Sequence, residues 1–326
     1  MANYKEIHGV QVQYRDSDAP EIEGDGWYNA STGKLKMYAS LGSWASGDNI
    51  NTARIENGGC GTSTATLTFG GKVPAPSTTG ITESYNGSTW TETGDLNTAR
   101  GESGDNIGTQ TAALAVGGGP TGGAYEDVES FNGTSWTEIT DINTGRWAMG
   151  GSGTTTAAIV FGGGAPPGHL IVAEQWNGTS WTEVGDLSRP AGRNWFGAAG
   201  DTSAAALAFG GAPGNQAHTE TWDNSSWSEG DNLNTGRRFL SGAGSSTAAI
   251  GMSGYVTDAM VNNTEIYDGS SWTEVNNVST SRGIAGSAGT STSGLLIAGM
   301  TTGGASILAT VEEWTVATTV ETIAFD

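Results

Sequence analysis

The segment Trp90-Thr-Glu-Thr-Gly-Asp-Leu-Asn-Thr-Ala-Arg100 is the clearest copy of a unit that the chain repeats with small changes along most of its length. It begins with a strand-like run and continues through a polar corner that ends on arginine. The tryptophan recurs at steps of 46, 46, 45, 46 and 45 residues, at Trp44, Trp90, Trp136, Trp181, Trp227 and Trp272. A period of this length indicates one supersecondary unit written six times.

Each unit carries signals for four short strands, which we label a, b, c and d. Strand b alternates large apolar residues with Ala, Thr or Gly and ends at a glycine doublet. Strand c places a glutamate two residues before an aromatic, as in Glu129-Ser-Phe131. A tight turn such as Asn132-Gly133 then leads to the tryptophan of strand d. Four strands in a repeat of about 40–50 residues predict the blade of a β-propeller.

The strand count predicts how the ring closes. There are six d strands beginning at Trp44 and six c strands ending at Glu312–Trp314, so the last blade lacks a strand d. We expect the N-terminal strand at Trp44 to pair with the one at Trp314, because this removes open sheet edges. The predicted fold is all-β, a six-bladed propeller over residues 44–314 with an N-terminal strand closing the last blade.

The flanking segments do not fit the blade pattern. Residues 1–24 are polar and acidic and are predicted to be an arm. A β-hairpin is predicted over Trp27–Tyr38 around Gly33, so residues 1–43 are a candidate attachment element or, alternatively, a cap on the propeller edge. The C-terminal tail, residues 315–326, is expected to be an extended arm.

Composition narrows the function. With 13 basic and 34 acidic residues, the formal charge of −21 argues against binding nucleic acid or an anionic membrane. The single cysteine, Cys60, excludes an intrachain disulfide. There is no apolar leader and no apolar run of 18 residues, so we expect synthesis in the cytoplasm, no membrane insertion and no cofactor.

The glycine doublet, the acid-x-aromatic pair and the following tryptophan resemble a kelch repeat over residues 44–314. The chain departs from the kelch pattern in its short spacing of five residues from Tyr85 to Trp90. The near-identical Asn-Gly-Thr-Ser-Trp-Thr-Glu and Leu-Asn-Thr-Ala-Arg units resemble kelch-like propellers of marine tailed bacteriophages, and the Tyr28–Leu35 hairpin resembles elements of phage fibre proteins. The resemblance implies a structural protein of a virion (a tail fibre, adhesin or decoration protein) that is oligomeric in the assembly and bound to other virion proteins through its N-terminal arm.

Comparison of the six repeats shows which face is free to bind a partner. The d-to-a corners and b-to-c loops emerge on one face, which we call the long-loop face, whereas the opposite face carries short, nearly uniform turns. Segments that differ among repeats are available for recognition of a host-surface glycan or protein. The dissimilar loops are Lys72–Gly80, Pro120–Asp127, Ala165–Leu170, Ala212–His218, Tyr255–Asn262 and Thr301–Ser306.

One arginine per blade lies on the same face, and two interpretations are open. The six could ring a channel mouth and hold an anion, or each could pair with the strand c glutamate of its blade. One Arg and one Glu in every blade favour pairing. The arginines are Arg54, Arg100, Arg146, Arg193, Arg237 and Arg282.

Unrepeated residues are the candidate binding residues. Trp147, Trp195 and Phe239 follow the arginines of three consecutive blades and could form an aromatic platform, although packing between blades is the alternative. His169 and His218 lie in adjacent b-to-c loops, but two histidines without a third ligand make a poor metal site, so no metal is expected.

An enzyme is disfavoured. A copper propeller of the galactose-oxidase type needs a thiol beside a tyrosine and two histidines, and Cys60 has no such set nearby. Sialidases carry Ser-x-Asp-x-Gly-x-Thr-Trp boxes, from which Asp268-Gly-Ser-Ser-Trp272 departs. We therefore expect a non-enzymatic virion protein, with a cytoplasmic protein–protein interaction scaffold or a carbohydrate-active propeller enzyme as alternatives.

Overall fold

The computed structural model describes residues 13–15, 26–74, 77–102, 106–120, 123–304 and 306–322. Two compact units are present: residues 44–314 form one, and residues 1–43 with 315–326 form the other. The N-terminal strands are β1 (Gln13–Arg15), β2 (Gly26–Asn29) and β3 (Lys34–Ser46). None of the described residues forms a helix long and apolar enough to cross a membrane.

Five four-stranded antiparallel sheets follow along the chain, and short two-stranded ribbons extend two of their connections. Blade 1 contains β4 (Gly58–Thr62), β5 (Ala65–Phe69), the ribbon β6 (Lys72–Val73) and β7 (Ser77–Thr78), β8 (Thr82–Tyr85) and β9 (Trp90–Glu92). Blade 2 contains β10 (Gly108–Thr109), β11 (Ala112–Val116), β12 (Val128–Phe131) and β13 (Trp136–Glu138). Blade 3 contains β14 (Gly150–Thr154), β15 (Ala157–Phe161), the ribbon β16 (Gly164–Ala165) and β17 (Gly168–His169), β18 (Ala173–Trp176) and β19 (Trp181–Val184).

The remaining blades complete the predicted six-bladed propeller. Blade 4 contains β20 (Gly197–Thr202), β21 (Ala205–Phe209), β22 (Thr219–Trp222) and β23 (Trp227–Glu229). Blade 5 contains β24 (Ser241–Ser245), β25 (Ala248–Val256), β26 (Ala259–Tyr267) and β27 (Trp272–Val275). Blade 6 contains β28 (Gly286–Gly289), β29 (Ser293–Ile297), a 3₁₀ turn at Thr302–Gly304 and β30 (Val311–Thr322).

The predicted closure is confirmed, because β3 is the neighbour of β30 and supplies the missing outer strand of blade 6. The Gly47 N–H donates to the Val311 carbonyl at 2.9 Å. The rings of Trp44 and Trp314 lie 5.4 Å apart. Across the junction with blade 1, the Tyr85 hydroxyl donates to Glu313 Oε1 at 2.7 Å.

The predicted N-terminal hairpin is also present. Strands β2 and β3 pair antiparallel, and Gly33 turns the chain with φ of +69°. The Asn29 side chain accepts from the Thr32 N–H at 3.0 Å and fixes this turn. Of the predicted arm, only residues 13–15 are described, as β1 pairing parallel with β2. In the predicted tail, β30 continues as a strand through Thr322, and residues 323–326 lie outside the described residues.

The core lies between the blades. Large residues of strand b are fully buried, and the strand d tryptophan of one blade packs on the strand b phenylalanine of the blade before it. Phe69 and Trp136 have ring centroids 5.0 Å apart, and Phe209 and Trp272 are 4.7 Å apart. Each blade therefore buries its apolar face only against its neighbours.

The glycine doublet joins neighbouring blades. Its second residue adopts φ between 82° and 121°, and its N–H donates to the corner arginine carbonyl of the next blade at 2.8–3.1 Å. The sixth bond, from Gly299 to the Arg54 carbonyl, closes the circle. The first residue has φ near +60° and is replaced by Ser253 and Ala298 in blades 5 and 6. The six donors are Gly71, Gly118, Gly163, Gly211, Gly254 and Gly299.

One predicted loop has a different structure. Residues 255–262 do not form a loop; they continue β25 and β26 as an antiparallel ladder that turns at Thr257 and Asp258. Tyr255, Val256, Met260 and Val261 favour strand structure, and a two-residue turn suffices to join them. The connection of blade 5 is therefore a defined hairpin on the long-loop face.

Candidate functional site

The corner arginines belong to the scaffold, as the pairing interpretation predicted. Each lies buried against the strand c glutamate of its blade, with Arg100 Nη2 2.5 Å from Glu129 Oε1 and Arg54 Nη1 3.0 Å from Glu83 Oε1. The other pairs are Arg146–Glu174, Arg193–Glu220, Arg237–Glu265 and Arg282–Glu312. Since every guanidinium is occupied, these six arginines form no anion-binding ring.

The same glutamate also caps the d-to-a corner. In blade 2, Glu129 accepts from the Asn97 N–H at 2.7 Å, from Asn97 Nδ2 at 2.8 Å and from the Thr98 N–H at 3.1 Å. Arg100 Nη1 donates to the Asp127 carbonyl at 2.7 Å. Burial lowers the pKa of Arg237 and Arg146, and the adjacent glutamate opposes that effect. The repeated Asn-Thr-Ala-Arg motif therefore stabilises the d-to-a corner of its blade.

A second ring of hydrogen bonds surrounds the propeller axis at the long-loop face. The residue two positions after each corner arginine has φ between 49° and 60°, and its N–H donates to the carbonyl of the equivalent residue in the preceding blade. The six bonds measure 2.8–3.1 Å and close on themselves. We call these residues the axial mouth: Glu56, Glu102, Ala148, Trp195, Phe239 and Ile284.

The axial mouth is uniform in backbone and dissimilar in side chain. Blades 1 and 2 contribute carboxylates, whereas blades 4, 5 and 6 contribute apolar side chains. A cavity of about 60 Å³ lies between them, which is room for a small substituent but not for a sugar ring. Beneath it, Asn106 Nδ2 reaches across the axis to the carbonyls of Ala198 and Gly242, 3.1 Å from each. The Asn106 side chain therefore links blade 2 to blades 4 and 5 at this level.

The acidic side of the mouth is organised by Lys72. Its Nζ lies 2.6 Å from Glu56 Oε2 and 3.3 Å from Glu102 Oε1, and all three side chains are largely buried. Burial and the charge of Glu56 raise the pKa of Glu102 to about 8. Glu102 is therefore largely protonated at neutral pH and can donate a hydrogen bond.

The three predicted aromatic residues do come together. The rings of Trp147 and Trp195 lie 5.7 Å apart, and those of Trp195 and Phe239 lie 4.8 Å apart, edge to face. Tyr255 extends the row, 5.8 Å from Phe239. We call these four residues the aromatic ledge. They pack across blades 3, 4 and 5 and remain half-buried, so part of each side chain faces solvent.

The two predicted histidines have other surroundings. His218 Nδ1 lies 2.9 Å from Arg189 Nη2, and burial together with the charge of Arg189 lowers the pKa of His218. His169 lies half-buried at the end of β17, with its carbonyl against Gly192. Among the described residues, no group of three His, Cys, Asp or Glu side chains could hold a metal ion.

Glu56 and Glu102 were not predicted as site residues, because each lies two positions after its corner arginine in a segment with no distinctive motif. Lys72 and Tyr255 begin two of the dissimilar loops, but the sequence assigned neither a role. Lys72 and Tyr255 occupy equivalent positions, opposite Ile55 and Arg238 in isolated bridges. Aligning the residue after each glycine doublet would have identified both.

Comparison with known proteins adds no relative. No protein-family model matches the chain, and a search of curated proteins found no match.

Proposed function

We propose that this chain is a non-enzymatic binding protein of a tailed-phage virion, and that it recognises its partner through the long-loop face, which includes the b-to-c loops, the axial mouth and the aromatic ledge. One observation carries the proposal. Six residues with the same backbone conformation and the same hydrogen bond carry dissimilar side chains, including Glu56, Glu102 and Trp195. Where fold requirements are identical, differences among side chains are free to serve recognition.

The virion assignment rests on motif resemblance. The Asn-Gly-Thr-Ser-Trp-Thr-Glu and Leu-Asn-Thr-Ala-Arg units support a propeller of the kelch type like those of marine tailed phages. The N-terminal hairpin of β2 and β3 supports attachment to other virion proteins through residues 1–43. A six-bladed propeller alone would not decide the function, because one fold hosts many functions.

The acidic pair supports binding over catalysis. Glu56 and Glu102 are the best candidates for acid–base chemistry, because they share a cavity and the pKa of Glu102 is raised to about 8. Lys72 lies between them, ion-pairs with Glu56 and donates a hydrogen bond to Glu102 Oε1, so neither carboxyl is free to reach a substrate. This arrangement favours a fixed polar surface over a glycosidase acid–base pair.

The test is adsorption of the fluorescently labelled protein to a panel of marine bacterial cells. One variant replaces the b-to-c segments 165–170 and 212–218 by Gly-Ser sequences of equal length. The matched control replaces Asn177-Gly-Thr-Ser on the opposite face by the Asp-Gly-Ser-Ser found at residues 268–271. We expect at least tenfold weaker adsorption for the loop variant only, and equal adsorption of both variants would refute the proposal.

Decoration of the particle is a second virion role, which must be distinguished from binding to the host cell. A decoration protein predicts unchanged cell adsorption for the loop variant and particles that lose stability without the protein. A cytoplasmic scaffold predicts capture of partners from uninfected cells and no copies in purified virions. The stoichiometry of the protein in purified particles therefore separates the scaffold from the two virion roles, and cell adsorption with particle stability separates those two from each other.

A further inference from the structure

We infer that Arg238 and the aromatic ledge form a binding site for an anionic saccharide. This inference rests on the proposed function and names the chemical class of its ligand. Residues 44–314 contain nine lysines and arginines, of which six are the paired corner arginines and three, Lys72, Arg189 and Arg238, are not repeated.

Arg238 differs from the other two unrepeated cations. Lys72 ion-pairs with Glu56 and donates to Glu102, and Arg189 Nη2 lies 3.1 Å from Glu229 Oε1. Among the described residues, Arg238 alone of the three forms no ion pair with a carboxylate, and its Nε is buried without a hydrogen-bond acceptor. A half-buried guanidinium without an ion-pair partner in a chain of charge −21 indicates a place for an external anion.

The guanidinium of Arg238 is also held in place. Its Cζ lies 5.2 Å from the ring centre of Phe239 and 4.8 Å from that of Tyr255. The backbones of Arg238 and Tyr255 exchange two hydrogen bonds, of 3.2 and 2.7 Å. A guanidinium packed on two aromatic rings loses little conformational entropy on binding, and its planar donors fit a carboxylate or sulfate in bidentate geometry.

The neighbouring surface suits a sugar. Beside Arg238 the aromatic ledge continues through Phe239 to Trp195 and Trp147 over three blades, so it offers apolar faces next to a cation. The 60 Å³ cavity at the axis admits only a small substituent, so a ring would lie on the ledge and not in the channel. Stacking rings with a few fixed polar groups are typical of small-ligand sites.

One acidic group opposes the anion. The Asp258 carboxylate at the turn of the blade 5 hairpin lies 3.5 Å from the Tyr255 hydroxyl. It is exposed at the hydroxyl end of the ring on which the Arg238 guanidinium packs, so we expect its charge to oppose an anion bound at Arg238. Removing its charge should therefore strengthen binding, which provides a variant that gains function.

The test is calorimetric titration of the full chain with alginate oligosaccharides (carboxylated), dextran sulfate, neutral dextran and poly-L-glutamate. We expect binding of alginate or dextran sulfate, and the stronger of the two identifies the anionic group. Arg238→Gln should weaken that binding about ten- to a hundredfold, as expected for loss of hydrogen bonds to a charged group. Arg238→Lys should weaken it less, and Asp258→Asn should strengthen it severalfold.

Arg189→Gln is the matched control on the same face and should leave binding unchanged; thermal melting verifies that every variant is folded. Equal binding of neutral dextran, or unchanged alginate and sulfate binding by folded Arg238→Gln, would overturn the inference. Equally tight binding of poly-L-glutamate would overturn its saccharide part. If the loop variant loses cell adsorption while neither anionic polymer binds, this inference fails and the proposed function stands.

Discussion

Glu102 is an unrepeated side chain at a position where the backbone conformation is the same in all six blades. Its counterparts in the other blades include Ala148 and Ile284, which bury no charge, whereas Glu102 is buried beside Glu56 and Lys72. Burial penalises the charged form of a carboxyl, and a like charge nearby adds to that penalty. The acidic side of the axial mouth should therefore destabilise the fold when it ionises.

The sign of this effect follows from the raised pKa. Because Glu102 binds its proton more tightly in the folded protein, its contribution is present below about pH 4.5 and is lost as the pH rises towards 8. A tenfold change in proton affinity is worth about 1.4 kcal/mol. We compare the free energy of unfolding at pH 5 and at pH 8 by urea denaturation. The decrease from pH 5 to pH 8 should be about 2–4 kcal/mol smaller in the Glu102→Gln variant than in the unaltered protein. The exposed Glu92→Gln is the control, and parallel pH profiles would contradict the assignment.

The buried Arg–Glu pairs give a second prediction at this scale. Glu129→Gln leaves the Arg100 guanidinium buried without a charged partner, which typically costs about 3–5 kcal/mol. The exposed Glu138→Gln in the same blade should cost less than about 0.5 kcal/mol. Denaturant midpoints compare the two, and a loss below about 1 kcal/mol for Glu129→Gln would show that the pair is not structural.

The elements that repeat in every blade could be predicted from the sequence. The positions of all six c-strand glutamates and d-strand tryptophans followed from it, because each blade packs against its neighbours in the same way. The blade 5 hairpin did not follow, since Tyr255–Asn262 differs from every other connection and offers no internal comparison. The row of Trp147, Trp195 and Phe239 was predicted from the sequence. The packing of Arg238 on Phe239 and Tyr255 was not, because Tyr255 lies in another strand of the blade.

The glycine doublet yields a prediction about element junctions. At Gly162, a first residue of the doublet, an alanine would adopt φ of +61°, as Ala298 does at +64°, with its Cβ no closer than 3.0 Å to the Arg193 carbonyl oxygen, and should cost about 1 kcal/mol. At Gly211 the φ of +105° lies outside the region that alanine tolerates, and its Cβ would lie 2.8 Å from Phe196 Cβ. Gly211→Ala should therefore cost about 3 kcal/mol. Equal losses in urea denaturation would contradict the different roles of the two glycines.

The whole molecule depends on closure between β3 and β30. Residues 44–47 and 311–314 complete blade 6, and the bond from Tyr85 to Glu313 ties it to blade 1. The unpaired d strand at Trp44 made this closure predictable, because a propeller with an open edge would aggregate. Sequence gave no comparable signal for the closed ring of hydrogen bonds at the axial mouth, since its members share backbone conformation and not residue type.

Truncation tests closure directly. Removing residues 1–46 deletes strand d of blade 6, so it should lower the melting temperature by more than 10 °C and promote aggregation. For a domain of this size, 1 kcal/mol corresponds to about 4 °C or less. Removing residues 1–25 leaves β2 and β3 in place and should leave the melting temperature of the propeller unchanged. A melting temperature unaffected by the longer truncation would contradict closure by the N-terminal strand.

Hydroxyl-radical footprinting tests most directly the claim that recognition is confined to the unequal residues of the long-loop face. The protein is labelled alone and after binding to the envelope fraction of cells that adsorb it. We predict that the half-exposed Trp147, Trp195, Phe239 and Tyr255 are oxidised in the free protein and protected in the bound one, while residues of the uniform turns react equally in both. Protection of those turns, with an unprotected aromatic ledge, would contradict the account.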